Sequence, residues 1–328
     1  MKKKIIAEIG STHDGSFGNA ENLIDEIKDC GADIVKFQLH LPDYEMLPNA
    51  PNPKFFKKEN RHDYFLRTNF SIRQYKILKK KTESLGMDFM ISPFSEKAIE
   101  LLEQINVKYY KVASGEVTNL RFLQKLRKTG KKIFLSTGMS NWNEIDNALR
   151  VLGKKNTTIM QCTSLYPCPI DSVGLNVISE MLERYQIPVG FSDHFLGSEA
   201  GFSAAVLGAS VIEKHITFSR KMYGSDAPYA MELNEFKEYV KSLRLIWSML
   251  DKPVNKDELD KFKDTKKVFQ KSIVTTRKLE KGKVIKINDL DFKKPGNGIN
   301  ASKYLDIIGK KLKKPLGKNK MIKLTDLE

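Results

Sequence analysis

The stretch IIAEIGSTHDGSFGNAENLIDEIKDCGADIVKFQ, residues 5–38, decides how the chain is read. An apolar run, Ile5–Glu8, leads through a loop into the amphipathic segment NAENLIDEIKDCGA and then into a second apolar run, Ile34–Gln38. Strand, amphipathic helix, strand is the repeating unit of a parallel sheet with crossover helices. Working outward, further runs occur at Phe89–Ser92, Tyr110–Ser114, Ile133–Thr137, Thr158–Thr163, Val189–Ser192 and Val211–His215, separated by helix-compatible segments such as SEKAIELLEQIN. Eight such strands predict an α/β chain closed into a (β/α)8 TIM barrel over residues 1–250. An open doubly wound sheet is the rival, but no G-x-G-x-x-G follows the first strand, where a dinucleotide fold carries it.

Each run ends in polar residues: Glu8, Lys36 with Gln38, Ser92, Lys111 with Ser114, Ser136 with Thr137, Gln161 with Thr163, Ser192 to His194, and Glu213 to His215. In a barrel these positions converge on the C-terminal mouth, where catalytic groups sit. Strands also end in Ser, Thr or Asp simply to cap the next helix. Capping does not account for Lys36, Lys111, His194 and His215, whose burial is costly unless an anion or a metal partners them.

The chain has 328 residues, more than a barrel needs, so a second, small domain is expected. After Leu250 the pattern becomes a charged, helix-compatible linker over 251–268 and then short β-like runs, SIVTTRKLEKGKVIKINDLDFKKPGNGIN, which assign 269–328 to that domain. No internal repeat is read in it. The net charge of +16 is concentrated there, +11 in residues 251–328 against +5 in 1–250. Its lysines alternate with acidic and apolar positions and no regular series of aromatics runs between them, the pattern of a solvated surface rather than of a nucleic-acid groove. No apolar run reaches the length of a membrane span, and MKKKIIAEIG turns polar too early for a signal peptide, so a cytoplasmic protein without membrane or nucleic-acid partners is expected. Cys30, Cys162 and Cys168 lack a repeated C-x-x-C spacing and read as free thiols.

The opening string resembles that of sialic acid synthases, and YYKVASGE, LSTGMS, QCTSLYPCP, GFSDH, VIEKH and GSDA follow in the family's order. KKPGNGI is similar to the family's small C-terminal antifreeze-like (SAF) domain. The resemblance spans nearly the whole chain. It implies condensation of phosphoenolpyruvate with an N-acetylated hexosamine and water, releasing phosphate, at a divalent metal, Mn2+ or Mg2+. N-acetylneuraminate synthesis is the first choice, and pseudaminate, legionaminate or a related nonulosonate the alternative.

Carried over position by position, the resemblance makes His194 and His215 the metal ligands. Lys36, Lys111, Ser114, Ser164 and Ser192 become the phosphoenolpyruvate cradle, Glu8, Gln38, Tyr166 and Asp226 the sugar side, and Ser92 a further substrate-binding residue. Glu8, Lys36 and Lys111 are the candidate catalytic residues. Many relatives carry asparagine at the position of Ser164, arginine near Lys294, and a different loop around Asp226. The resemblance further implies a homodimer with exchanged tail domains, Lys294 closing the site of the neighbouring subunit. No role follows for His13. Competing readings are a nucleic-acid- or ice-binding protein, and a barrel aldolase forming a Schiff base at Lys36 or Lys111.

Overall fold

In a computed structural model, which describes residues 3–53, 56 and 59–328, eight parallel strands close into a barrel. They are β1 (Lys4–Gly10), β2 (Ile34–Leu39), β3 (Asp88–Pro93), β4 (Tyr109–Val112), β5 (Lys132–Ser136), β6 (Thr157–Cys162), β7 (Val189–Asp193) and β8 (Val211–Thr217). Closure is the pairing of β1 with both β2 and β8, in which Glu8 stands opposite Lys36 on one side and His215 on the other. The helices lie in the intervals the sequence leaves for them. α1 (Phe17–Cys30) starts where the Ser16 hydroxyl accepts from the Asn19 amide and stops at Gly31, whose left-handed backbone closes the last turn. It buries Ala20, Leu23, Ile24, Ile27 and Cys30, the apolar stripe visible in the sequence. Between β2 and β3 run α2 (Arg61–Thr68) and α3 (Ile72–Ser84). The remaining crossovers are α4 (Glu96–Glu103), α5 (Leu120–Lys128), α6 (Trp142–Leu152), α7 (Leu175–Tyr185) and α8 (Glu199–Val206), and α9 (Leu233–Leu250) follows β8.

The barrel interior is filled by Ile6, Ile34, Met90, Phe134, Met160 and Val211, with Tyr109 against them. Side chains on a strand alternate faces, so the next inward residue on each strand lies two positions on. That layer is Glu8, Lys36, Ser92, Lys111, Ser136, Cys162 and Glu213, joined by Ser192 of β7. The polar ring expected from the strand ends is therefore one layer of a single parity. Several expected members have the opposite parity and face the helices. Thr137 donates to the Met160 carbonyl, Gln161 to that of Val173 and Thr163 to that of Ser172. On β6 the inward position belongs to Cys162 instead.

Asp193 and Lys214 also face outward, and there they form a buried pair, Nζ to Oδ2 2.9 Å. Lys214 donates further to the carbonyls of Phe195 and Gly197, and Tyr239 of α9 donates to Asp193. The pair joins β7 to β8 directly behind Ser192, His194, Glu213 and His215.

The chain divides between Lys252 and Pro253 into two compact units. The charged segment after Leu250 is helical only from Asp260, a single turn running into α10 (Lys263–Phe269), and it groups with the second unit. That unit pairs β9 (Ser272–Thr275) with β10 (Leu290–Lys293) around Ile273, Leu279, Ile285, Leu290, Ile307, Leu312, Ile322 and Leu327. It does contain an internal repeat. Leu279–Leu290 and Leu316–Leu327 share Leu at both ends, and Asp289 and Asp326 each accept from the amide three residues earlier, Lys286 and Lys323. The two copies meet through reciprocal backbone bonds between Leu279 and Leu316. The repeat is present in the sequence as L-x-K-x-K-x-I-K-x-x-D-L in both copies, exposed lysines included, against the expectation of none.

Removing one partner of a buried ion pair strands the other, typically at a cost of about 3–5 kcal/mol. Asp193→Ala is expected to lower the urea midpoint accordingly, and the double replacement Asp193→Leu/Lys214→Met to recover most of the loss. An unchanged midpoint in Asp193→Ala would show that the pair contributes nothing.

Candidate active site

Two contiguous cavities, of about 390 and 350 Å3, occupy the C-terminal mouth and share Gln38, Phe94, Tyr166 and His215 in their walls. The deeper one is lined by Glu8, Lys36, Gln38, Ser92, Lys111, Ser114, Ser164, Tyr166, Ser192, His194 and His215, which is to say by every expected barrel site residue except Asp226. Asp226 lines the second cavity beside Tyr166 and His215. Lys294 is in the second unit, its ammonium 5.1 Å from the centre of the Phe269 ring.

Glu213 organises the floor. Its Oε1 accepts from Lys111 Nζ at 2.8 Å and from the Ser192 hydroxyl at 3.0 Å, and Lys36 Nζ lies 3.8 Å away. Burial pushes Glu213 up, but Lys111 and Lys36 outweigh it and hold the carboxyl down at about 2. Lys36 sits 2.7 Å from Glu8 Oε2 and donates to the Ser92 hydroxyl at 3.3 Å. For Glu8 the balance reverses. Burial dominates, Lys36 offsets only part of it and the Glu213 charge adds to it, so the carboxyl is raised to about 7. Glu8 Oε1 accepts from Gln38 Nε2 at 2.6 Å.

Two glycines give the site its shape. A Cβ on Gly138 would lie 2.4 Å from Ser164 Oγ, 2.9 Å from Ser114 Oγ and 3.0 Å from Cys162 Sγ, so only glycine lets these groups converge. Its amide donates to Ser114 Oγ at 2.9 Å. Gly10 has φ +54°, and a Cβ there would meet Asp226 Oδ2 at 2.5 Å, with Glu8 Oε1 and His215 Nδ1 both at 3.4 Å. Asp226 is anchored by the Ser11 amide and hydroxyl, each at 2.9 Å.

His194 and His215 end adjacent strands with ring centroids 5.6 Å apart. His194 Nδ1 faces the Thr163 carbonyl at 2.9 Å, which directs the lone pair to Nε2, toward the cavity and Tyr166 OH at 3.0 Å. Burial is the main cause that lowers His215 to about 3, so its imidazole is neutral, and its Nδ1 is buried without a partner. Among the described residues no group of three or more His, Cys, Asp and Glu side chains is arranged around one ion. Two imidazoles on adjacent strand ends, one of them with a buried nitrogen that has no hydrogen-bond partner, fit an ion whose other positions are filled by oxygen from water and substrate, as in catalytic sites that stay open.

Sequence reasoning passed over several residues. Glu213 shares its strand face with His215, two positions away, and that parity was the available signal. Ser136 and Cys162 belong to the same layer. Arg61 begins α2 and lines both cavities, and nothing local in the sequence marks it. His13 lies in neither wall. It stacks on Phe70 at 4.4 Å, accepts from the Gly15 amide at 3.1 Å, and is driven down to about 4 by burial, a neutral packing residue. Among the described residues, the buried side-chain atoms with neither a hydrogen bond nor an ion pair all line this mouth: Arg61 Nε, Ser136 Oγ, Glu213 Oε2 and His215 Nδ1. Each such atom costs about 1–3 kcal/mol, so the mouth is built for a polar ligand.

The sequence pattern of the NeuB family matches residues 23–255, and that of the SAF domain residues 270–328. An uncharacterised protein of Methanocaldococcus jannaschii is 37% identical, over 98% of this chain and 94% of its own. N,N'-diacetyllegionaminic acid synthase of Campylobacter jejuni is 34% identical, over 94% and 96%. The crystal structure of N-acetylneuraminic acid synthetase from Leptospira borgpetersenii superposes with a TM-score of 0.74 at 26% identity, over 81% of this chain and 92% of that one.

A dianion bound between Lys36 and Lys111 adds negative charge beside Glu8 and raises its pKa further. In chelator-treated protein at about pH 8, where Glu8 is mostly ionised, binding of inorganic phosphate is therefore expected to take up a proton. Calorimetry in buffers of different ionisation enthalpy measures it. Uptake persisting undiminished in Glu8→Gln would assign the proton elsewhere.

Proposed function

The chain belongs to the NeuB family of sialic-acid-type synthases, and on that premise we propose that it condenses phosphoenolpyruvate with an open-chain N-acetylated hexosamine and water, giving a nonulosonate and phosphate. The observation that carries this reading is the convergence of Lys36 and Lys111 on one carboxylate, Glu213, beneath a rim of serine hydroxyls and two histidines. Two ammonium groups and the hydroxyls of Ser92, Ser114, Ser164 and Ser192 suit a ligand carrying both a phosphate and a carboxylate. The neighbouring cavity, with Gln38, Tyr166 and Asp226, offers donors and acceptors to sugar hydroxyls. His194 and His215 would hold Mn2+ or Mg2+, which when bound supplies a Lewis acid for the aldehyde.

The chain's own groups account for orientation and proton movement. Lys36 and Lys111 fix the enol ester so that its C3 faces the aldehyde carbon, and the walls hold the two at contact distance. As the C3–C1 bond forms and the carbonyl opens, Glu8, poised near neutrality, gives its proton to the new hydroxyl oxygen. The water that adds at C2 returns one proton to Glu8; the C2–O bond to phosphate then breaks as the remaining hydroxyl proton passes to the departing phosphate and C2 becomes the ketone. A second reading of the acceptor, a di-N-acetylated hexosamine, is favoured by the likeness to N,N'-diacetyllegionaminic acid synthase. The reading includes a cytoplasmic location with no nucleic-acid or membrane partner; among the described residues no helix is long and apolar enough to cross a membrane.

The deciding experiment is phosphate release from phosphoenolpyruvate across a panel of mono- and di-N-acetylated hexosamines. No release with any of them would sink the reading. Lys36→Ala and Lys111→Ala should each weaken phosphoenolpyruvate use by about one to two decades, the equivalent of a lost charge-assisted contact of about 1.5–3 kcal/mol. Chelation should abolish turnover and Mn2+ or Mg2+ restore it, whereas full activity in chelated enzyme would remove the metal from the proposal. The exchanged homodimer, with Lys294 serving the neighbouring subunit, is part of the same proposal. Co-expressed His215→Ala and Lys294→Ala chains should then recover about a quarter of full activity through heterodimers with one intact site. No recovery in confirmed heterodimers would mean that each tail serves its own barrel.

A further inference from the structure

Immediately after β2, His40 is buried between two aromatic rings, Phe65 at 3.7 Å and 8° and Phe94 at 4.0 Å and 19° between centroids and planes. Nothing in the proposed chemistry uses it. Its ring nitrogens nonetheless sit in the middle of a hydrogen-bonded chain. Nδ1 lies 2.8 Å from Glu45 Oε2, and Nε2 lies 3.0 Å from Gln38 Oε1. Glu45 is itself fixed by the Leu41 amide, which donates to Oε1. Gln38 in turn donates through Nε2 to Glu8 Oε1 at 2.6 Å, and its carbonyl is held by the Tyr75 hydroxyl at 2.6 Å.

The direction of this chain is fixed by what each atom can do. In its ionised form Glu8 can only accept, so the amide NH2 of Gln38 faces Oε1, at 2.6 Å, and the amide oxygen faces away. That oxygen then requires a donor on its far side. His40 Nε2–H is the one at hand. Nδ1 faces the Glu45 carboxylate, which can only accept, so both ring nitrogens carry hydrogen and the ring pairs with Glu45 while donating to Gln38. The two flanking rings keep the imidazole in the plane that presents it. Without His40 the Gln38 amide has no partner distinguishing its two ends, and a flipped amide would set oxygen against oxygen at Glu8.

We propose that His40 is a positioning residue for the condensation: it sets the amide orientation of Gln38, and through Gln38 it holds the Glu8 carboxylate at the angle from which it serves the reacting oxygen. The proposal rests on the role read for Glu8 above. Its geometric half, that His40 orders the Gln38 amide, stands apart from any substrate.

His40→Phe keeps the aromatic stack and removes both ring hydrogen bonds. It is expected to fold, with a lowered melting midpoint because Glu45 loses its partner. At a temperature where it is fully folded it should lose about 10- to 100-fold in kcat, the usual size of an effect transmitted through a supporting hydrogen bond. KM for phosphoenolpyruvate should stay close to that of the wild type, because Lys36, Lys111 and the serines are untouched. In a Gln38→Ala background, His40→Phe should add no further loss, since the hydrogen-bonded route from His40 to Glu8 among the described residues is already gone. By NMR, exchange of the Gln38 side-chain amide protons should accelerate in His40→Phe whatever acceptor the enzyme takes. Losses that multiply in the double variant, or Gln38 exchange equal to the wild type, would overturn the proposal. If His40→Phe fails to fold, His40→Ala with added imidazole replaces it, because imidazole fits the slot between Phe65 and Phe94. Restored Gln38 protection supports the proposal, and a folded, imidazole-saturated variant without protection refutes it. A wild type inactive toward every acceptor would sink the reading of function while the exchange measurement still decides the role of His40.

Discussion

Four buried charges govern the mouth of this barrel: Lys36 and Lys111 against Glu8 and Glu213. Removing any one of them from water costs several kcal/mol, and the cost is offset only because strands far apart in the chain bring the opposite charges within contact. The two acids are not equivalent. Glu213 engages both ammonium groups and stays ionised, and its charge helps to push Glu8 up to about 7. One carboxylate therefore serves as fixed countercharge while the other is left able to gain or lose a proton near neutrality. The division follows from geometry alone, since Lys111 reaches Glu213 and not Glu8.

Strand alternation gives each face of β7 and β8 a separate task. The inward parity carries Ser192, His194, Glu213 and His215 into the cavity. The outward parity carries Asp193 and Lys214 into a buried pair capped by Tyr239 and two carbonyls. A clamp one residue away from each functional side chain limits how far the two strands can slide, which would otherwise shift both imidazoles relative to Glu8. The mouth itself is under-satisfied: its orphaned polar atoms belong to inward residues, while the outward set is saturated with partners.

Much of this was legible in residue order. Eight apolar runs with amphipathic segments between them specify the barrel, and the lysines and histidines at their ends specify that its mouth holds a polar ligand. What stayed hidden has physical causes. Gln161 and Thr163 read as polar strand-end residues but turn toward the helices, because strand phase is set by which neighbour fills the interior, here Met160, and polarity does not report it. Glu213 looked like one more strand-end acid, and its place as the shared partner of two lysines depends on the stagger of β4, β2 and β8. Arg61 and His40 carry no motif, for they reach the cavity from loop and helix positions that the barrel brings to its rim. The repeat in the tail is written in the sequence, as L-x-K-x-K-x-I-K-x-x-D-L in both copies, and the lysine bias of the whole tail masks it.

The sequence by itself determined the periodicity, and periodicity is local: a strand needs alternation, a helix needs its stripe and caps, and both are written within a dozen residues. It thereby determined the fold class, the order of elements and the set of residues able to meet at one end. Tertiary structure alone decided which of them do meet and in what protonation state. Closure of β1 onto β8 sets Glu8 beside His215, and burial then weighs each charge against neighbours more than a hundred residues away. Pairing energies and desolvation depend on distances of a few ångströms between remote segments, and no local pattern in a chain encodes them.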